Sequence, residues 1–169
     1  MTKYIMLVFT ILFLSHAPAR ADAELRSQIS NEVSRFITFS KLWIHEECSM
    51  DKDYVQELLS DGLYNLRKIN PQVVDRIRQT RLYGVLFFVE IRCGELGHNG
   101  GSWGGVPFLA GTINVGTNMD ERILMHEFLH QFGFGGWRER TTDECAYASL
   151  DPEAQAEDYP LCSAFRFIL

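Results

Sequence analysis

The sequence predicts an α+β fold in which helices dominate and a small β-sheet lies beside one buried helix. Three observations predict it. Apolar residues recur at helical spacing through the N-terminal part of the chain. The run Leu82 to Ile91 is almost continuously apolar, as a strand buried on both faces would be. The stretch from Ile123 to Phe132 is apolar except at a few positions, which marks a buried helix.

The elements follow in order. Lys3 gives a short basic start, and Tyr4 to Leu14 is an apolar run too short to span a bilayer comfortably. Ala19-Arg20-Ala21 then places small residues at both positions that define a cleavage site. The expectation is a signal peptide over residues 1–21, cut after Ala21, with Ala23 as the next choice. A single domain over residues 22–169 remains, large enough for a proper core. No repeat or linker divides it.

A first helix is expected over about Ala23 to Phe39, with Leu25, Ile29, Val33, Phe36 and Ile37 on one stripe. A second covers about Asp51 to Ile69, with Val55, Leu58, Leu59, Leu66 and Ile69 inward. Asn70-Pro71 carries the cap-plus-proline signature of a short third helix, with Val73, Val74 and Ile77 as its buried side. After the strand Leu82 to Ile91 comes Gly97-His98-Asn99-Gly100-Gly101-Ser102-Trp103-Gly104-Gly105. Glycine clusters mark backbone freedom, so this reads as a surface turn or cleft rim, with His98 near substrate in the second case. Val106 to Val115 holds one or two short strands around Ala110-Gly111.

The next helix carries the chemistry. Asn118 is placed to cap it and Glu121 to complete a capping box, while Gly133 and Gly135-Gly136 end it. Within it stands His126-Glu127-Phe128-Leu129-His130, the H-E-x-x-H pattern. Residues four apart share a helix face, so both imidazoles reach one metal ion. A zinc ion held this way acidifies its water and polarises a carbonyl, and Glu127 is placed to act as general base. A solvated helix with two chance histidines is the alternative. It fits poorly, because after Arg122 this helix carries only Glu127 as a charge, and buried polar groups without partners are costly.

The segment from about Val85 to Leu150 resembles the zincin metallopeptidases, which place a strand, often an edge strand that pairs with substrate, shortly before their H-E-x-x-H helix; the resemblance implies such an edge strand within Val106 to Val115. The resemblance covers under half of the chain, and only the five-residue motif is specific. It implies a zincin-like domain, a Zn2+ cofactor and hydrolysis of peptide bonds. In the metzincin branch a third histidine follows the motif; Gly136 stands at that position and excludes it. The gluzincin branch takes its third ligand from a Glu on a following helix. The resemblance therefore points to Thr141-Thr142-Asp143-Glu144-Cys145-Ala146-Tyr147-Ala148, read as a helix opening at a cap residue. Glu144 has the right type and the longer reach. Asp143 is the alternative, having Ala146 three residues on. Glu144 also fits the second half of a capping box after Thr141. Tyr147 is a candidate for stabilising an oxyanion, against the commoner role of a core tyrosine with its hydroxyl at the rim.

Cys48, Cys93, Cys145 and Cys162 all follow the cleavage point, and an even number in an exported chain suggests two disulfides. Of three pairings, Cys48–Cys93 with Cys145–Cys162 is favoured, because the second bond would pin the C-terminal tail to the third-ligand helix. No C-x-x-C spacing suggests a four-cysteine zinc site. The apolar tail Phe165 to Leu169 is expected to pack on the core.

The formal charge is −6, and processing removes Lys3 and Arg20 but no acid, leaving −8. A chain this acidic without a basic cluster is a poor partner for nucleic acid. The expectation is thus a secreted or periplasmic, monomeric zinc metallopeptidase acting on a peptide or protein substrate, with no membrane contact after cleavage. Two rivals share the scaffold: an exported zinc-binding inhibitor or binding module, and a metal-dependent amidase acting on a cell-wall substrate. A pure binding module has no need of Glu127.

Overall fold

A computed structural model of the chain describes residues 2–72, 75, 89–94, 100–103, 111–116, 120–132 and 139–166. The elements run α1 (Thr2–Phe39), β1 (Trp43–Ile44), α2 (Lys52–Ile69), β2 (Val89–Gly94), β3 (Gly100–Trp103), β4 (Gly111–Gly116), α3 (Glu121–Gln131), α4 (Glu139–Leu150) and α5 (Pro160–Ala164). Helices dominate and one small sheet accompanies them, the α+β class. No helix among the described residues is long and apolar enough to cross a membrane.

The first expected helix is longer than predicted, because α1 runs unbroken from Thr2 to Phe39. Its expected stripe is inward: Ile29, Val33, Phe36 and Ile37 are buried and Leu25 packs against the core. α2 starts where Asp51 caps it, its side chain accepting from Tyr54 N at 2.8 Å. Val55, Leu58, Leu59, Leu66 and Ile69 are all buried. Asn70 closes α2 and donates from Nδ2 to the carbonyls of Cys162 and Phe165, holding the C-terminal segment. Of the expected third helix, Gln72 and Asp75 are helical, while Val73, Val74 and Ile77 lie outside the described residues.

The sheet has the order β1-β2-β4-β3. β1, β2 and β4 are parallel, and β3 is antiparallel to β4. Two expectations are corrected here. Part of the glycine-rich stretch read as a turn is a strand, β3, because pairing with β4 supplies hydrogen bonds that local composition does not announce. Within the stretch Val106 to Val115 where an edge strand is expected, the described part, β4, is interior: it is flanked by β2 and β3, so on that side the edge of the sheet falls to Gly100–Trp103, and residues 106–110 lie outside the described residues. Only the end of the expected strand Leu82 to Ile91 lies within the described residues. There Val89 and Ile91 point to the core and Glu90 and Arg92 away from it. Ile91 sits opposite Ile113, and both are fully buried.

α3 packs on β3, β4, α2 and α4. Leu124, Met125, Phe128 and Leu129 are fully buried, each a side chain whose burial contributes roughly 1.5–3 kcal/mol. Phe132, just past the helix, meets Phe36 of α1 edge to face with ring centroids 5.1 Å apart. The helix starts later than expected: its cap is Asp120, which accepts from Arg122 N at 2.9 Å, and Asn118 lies outside the described residues. Tyr54 of α2 donates to Glu121 Oε1 at 3.0 Å, and burial with this bond pushes its hydroxyl up to about 12. α2 and the start of α3 are thereby tied.

Both cystines have the expected pairing, Cys48–Cys93 and Cys145–Cys162. The first joins the segment after β1 to β2. Next to it His45 stacks on exposed Trp43 and hydrogen-bonds Glu90. That bond, and then Arg92, hold the Glu90 carboxyl below its usual range. On acidification the unfolded chain therefore takes the proton first. The stabilisation is fully present above about pH 4.3, the ordinary Glu value, and is lost as pH falls through the lower folded value. Glu90→Gln is expected to flatten the acid limb of a melting-temperature profile below that pH. An acid limb identical to wild type would refute the coupling.

Candidate metal centre

Helical phase builds the site. Arg122, His126 and His130 are spaced by four on α3, and Glu139, Asp143 and Tyr147 by four on α4. Residues four apart share a face, so each helix carries a three-step stripe. The helices pack together and the stripes meet in antiparallel order. His126 Nε2 lies 3.2 Å from Glu139 Oε2, and His130 Nε2 lies 3.8 Å from the same oxygen. One step along, His126 Nδ1 lies 2.9 Å from Asp143 Oδ1, in contact though not aligned as a hydrogen bond. At the far step the Arg122 guanidinium sits 5.0 Å from the centroid of the Tyr147 ring.

His126, His130 and Glu139 form a group able to hold a metal ion. The two imidazole Nε2 atoms are 2.9 Å apart. Bonds of about 2.0–2.2 Å to a tetrahedral zinc place ligand atoms about 3.3–3.6 Å from one another. The three separations of 2.9, 3.2 and 3.8 Å lie on either side of that range, so side-chain shifts of a few tenths of an ångström would bring the donors to the spacing of such an ion. Two neutral imidazoles and a carboxylate are also borderline-soft and hard donors of the kind zinc accepts. The histidine side chains are 12% and 14% exposed and Glu139 is 59% exposed, so the group opens to solvent on one side.

Glu127 sits on the same helix but faces inward, at 5% exposure. Asp143 is engaged by His126 Nδ1 and by Arg122 Nη1, 3.4 Å away. Glu144 points elsewhere: its Oε1 accepts from Leu161 N at 2.6 Å and Cys162 N at 3.1 Å, capping α5. The carboxylate that the structure brings to the histidines is Glu139, not Glu144. Asp143 meets His126 through Nδ1, the nitrogen facing away from the cluster. Thr141 lies inside α4 (Glu139–Leu150), so the capping box expected from Thr141 is not formed. Tyr147 is 55% exposed, at the rim rather than in the core. His98 lies outside the described residues, and His45 belongs to the β1 edge.

The signal that reveals Glu139 is the second stripe, Glu139-x-x-x-Asp143-x-x-x-Tyr147, which mirrors Arg122-x-x-x-His126-x-x-x-His130. Glu139→Gln is expected to weaken zinc binding at least 10-fold, since it removes a charged donor from the set. Glu144→Gln is expected to leave zinc binding unchanged and to cost about 1 kcal/mol of stability through the lost cap. Zinc titration of both variants checks this; the opposite ranking would exclude Glu139 as the third donor. No protein-family model matches the chain, and neither a curated protein nor a solved structure matches it.

Proposed function

We propose that the chain is a secreted zinc metallopeptidase of zincin-like type, with His126, His130 and Glu139 as ligands and Glu127 as general base. The observation that carries this reading is the convergence of His126 Nε2, His130 Nε2 and Glu139 Oε2 into one donor group; Glu127 is the motif residue next to His126 in the chain. Zinc, when bound, supplies Lewis acidity that polarises a carbonyl and acidifies water.

The residues of the chain do the rest. Glu127 takes a proton from the attacking water and passes it to the leaving amine nitrogen. β3, the antiparallel edge strand packed beside α3, holds the substrate extended by main-chain hydrogen bonds. Tyr147, the oxyanion candidate, lies about two helical turns from Glu139 with its ring against Arg122, so it takes no part in the proposed mechanism. Export is supported by two disulfides. Cleavage after Ala21 leaves Asp22 at the new start of α1, where an acid suits the helix dipole and where it already bonds Tyr64.

The test is zinc content by elemental analysis together with chelator-sensitive cleavage of casein, an unstructured substrate. Stoichiometric zinc with cleavage that chelator abolishes and zinc restores is the expected result. Zinc without cleavage would favour the binding-module or amidase reading, and a chain without zinc would end the metal reading altogether.

A further inference from the structure

We propose that Arg122 is a positioning residue for the metal centre, acting through Asp143 on the ring of His126. The inference rests on the reading of His126, His130 and Glu139 as a zinc site.

Asp143 Oδ1 is shared. It lies 2.9 Å from His126 Nδ1 and 3.4 Å from Arg122 Nη1. The Asp143 side chain is 47% exposed, so water competes for it and several rotamers are open to it. Arg122 removes that freedom by engaging the same oxygen that faces the imidazole. Arg122 is itself held on other sides: Nε lies 3.7 Å from Asp120 Oδ2, and the guanidinium rests over the Tyr147 ring. Its side chain is 26% exposed, unlike a freely solvated surface arginine.

The bland alternative is a surface ion pair near a helix start, which contributes about 0–1 kcal/mol of stability and nothing to a ligand. The geometry separates the two. A carboxylate that accepts from Nδ1–H fixes a ring's orientation and tautomer and leaves Nε2 for a metal; Asp143 Oδ1 is within that distance of His126 Nδ1, and the role proposed here requires the carboxylate to turn into line with it. Here Nε2 is the atom turned to Glu139 and His130. Arg122 therefore sets the direction of the carboxylate, and the carboxylate sets the ring. The arginine is two steps from the ion, on the same two helical stripes.

The test is a zinc competition titration of the full mature chain, with melting of the zinc-free forms measured alongside. Arg122→Met is expected to weaken zinc binding about 10-fold. Arg122→Lys keeps the charge without the planar fork and is expected to recover part of that loss. Asp143→Asn is expected to weaken binding by at least as much, and the double variant Arg122→Met/Asp143→Asn by no more than Asp143→Asn alone. Zinc-free melting is expected to shift little, since the arginine's effect is on the ligand. Losses that multiply in the double variant, or unchanged affinity in Arg122→Met, overturn the role of Arg122 and leave the zinc site standing. Should Arg122→Met fail to fold, Arg122→Lys carries the test, and affinity equal to wild type overturns the role. A wild-type chain that binds no zinc overturns the site and the inference together.

Discussion

Glu127→Gln is expected to keep zinc and lose cleavage. The amide matches the carboxylate in size and carries no charge, so it fits a site that is 5% exposed without strain. It cannot accept the proton that the attacking water gives up. General-base catalysis is worth about 10²–10⁴-fold, and the drop in kcat/KM on a casein-derived peptide is expected in that range. His126→Ala is expected to lose both zinc and cleavage, because it removes a ligand and the partner of Asp143. The contrast between the two variants is what identifies a base. Equal cleavage by Glu127→Gln and wild type would remove Glu127 from the mechanism even if zinc is bound.

Opening the disulfides is the second large effect. Cys48–Cys93 joins residues 45 apart and Cys145–Cys162 joins residues 17 apart. By the loop-entropy relation the first constrains the unfolded chain by about 4 kcal/mol and the second by about 3 kcal/mol. A domain of this size has a total stability of about 5–15 kcal/mol, so either loss is a large share. Replacing both cysteines of a pair with alanine is expected to lower the urea midpoint, more for Cys48–Cys93. The shorter link should show a second effect. It ties α4, which carries Glu139 and Asp143, to α5, whose first amides Glu144 caps. Removing it is expected to weaken zinc binding as well, while removing Cys48–Cys93 is not. Equal stability losses with equal zinc affinities would contradict this division of roles.

The parts of the fold legible in the sequence are those set by local periodicity. The buried stripes of α1, α2 and α3 follow from apolar spacing, and His126, Glu127 and His130 from a fixed motif. What stayed hidden depends on partners distant in sequence. Thr141 is a good cap residue and suggests a helix opening there with Glu139 outside it, whereas α4 includes Glu139. Glu144 has the residue type and reach of a ligand, and its partners, the amides of Leu161 and Cys162, belong to a short helix with no periodic signal in the sequence. The strand β3 is rich in glycine and declares itself only by pairing with β4. Strand order, which turns β4 from an edge into an interior strand, is a property of the sheet and not of any one segment.

The facing stripes have a consequence for how the chain tolerates insertions and deletions. Each residue added to an α-helix turns everything beyond it by about 100°. One residue gained or lost between Arg122 and His130, or between Glu139 and Tyr147, would rotate part of a stripe off the shared face and scatter the donors. One gained in the connector between the two helices leaves the phase within each stripe untouched. The requirement of phase therefore falls on the spacing inside each of the two helices.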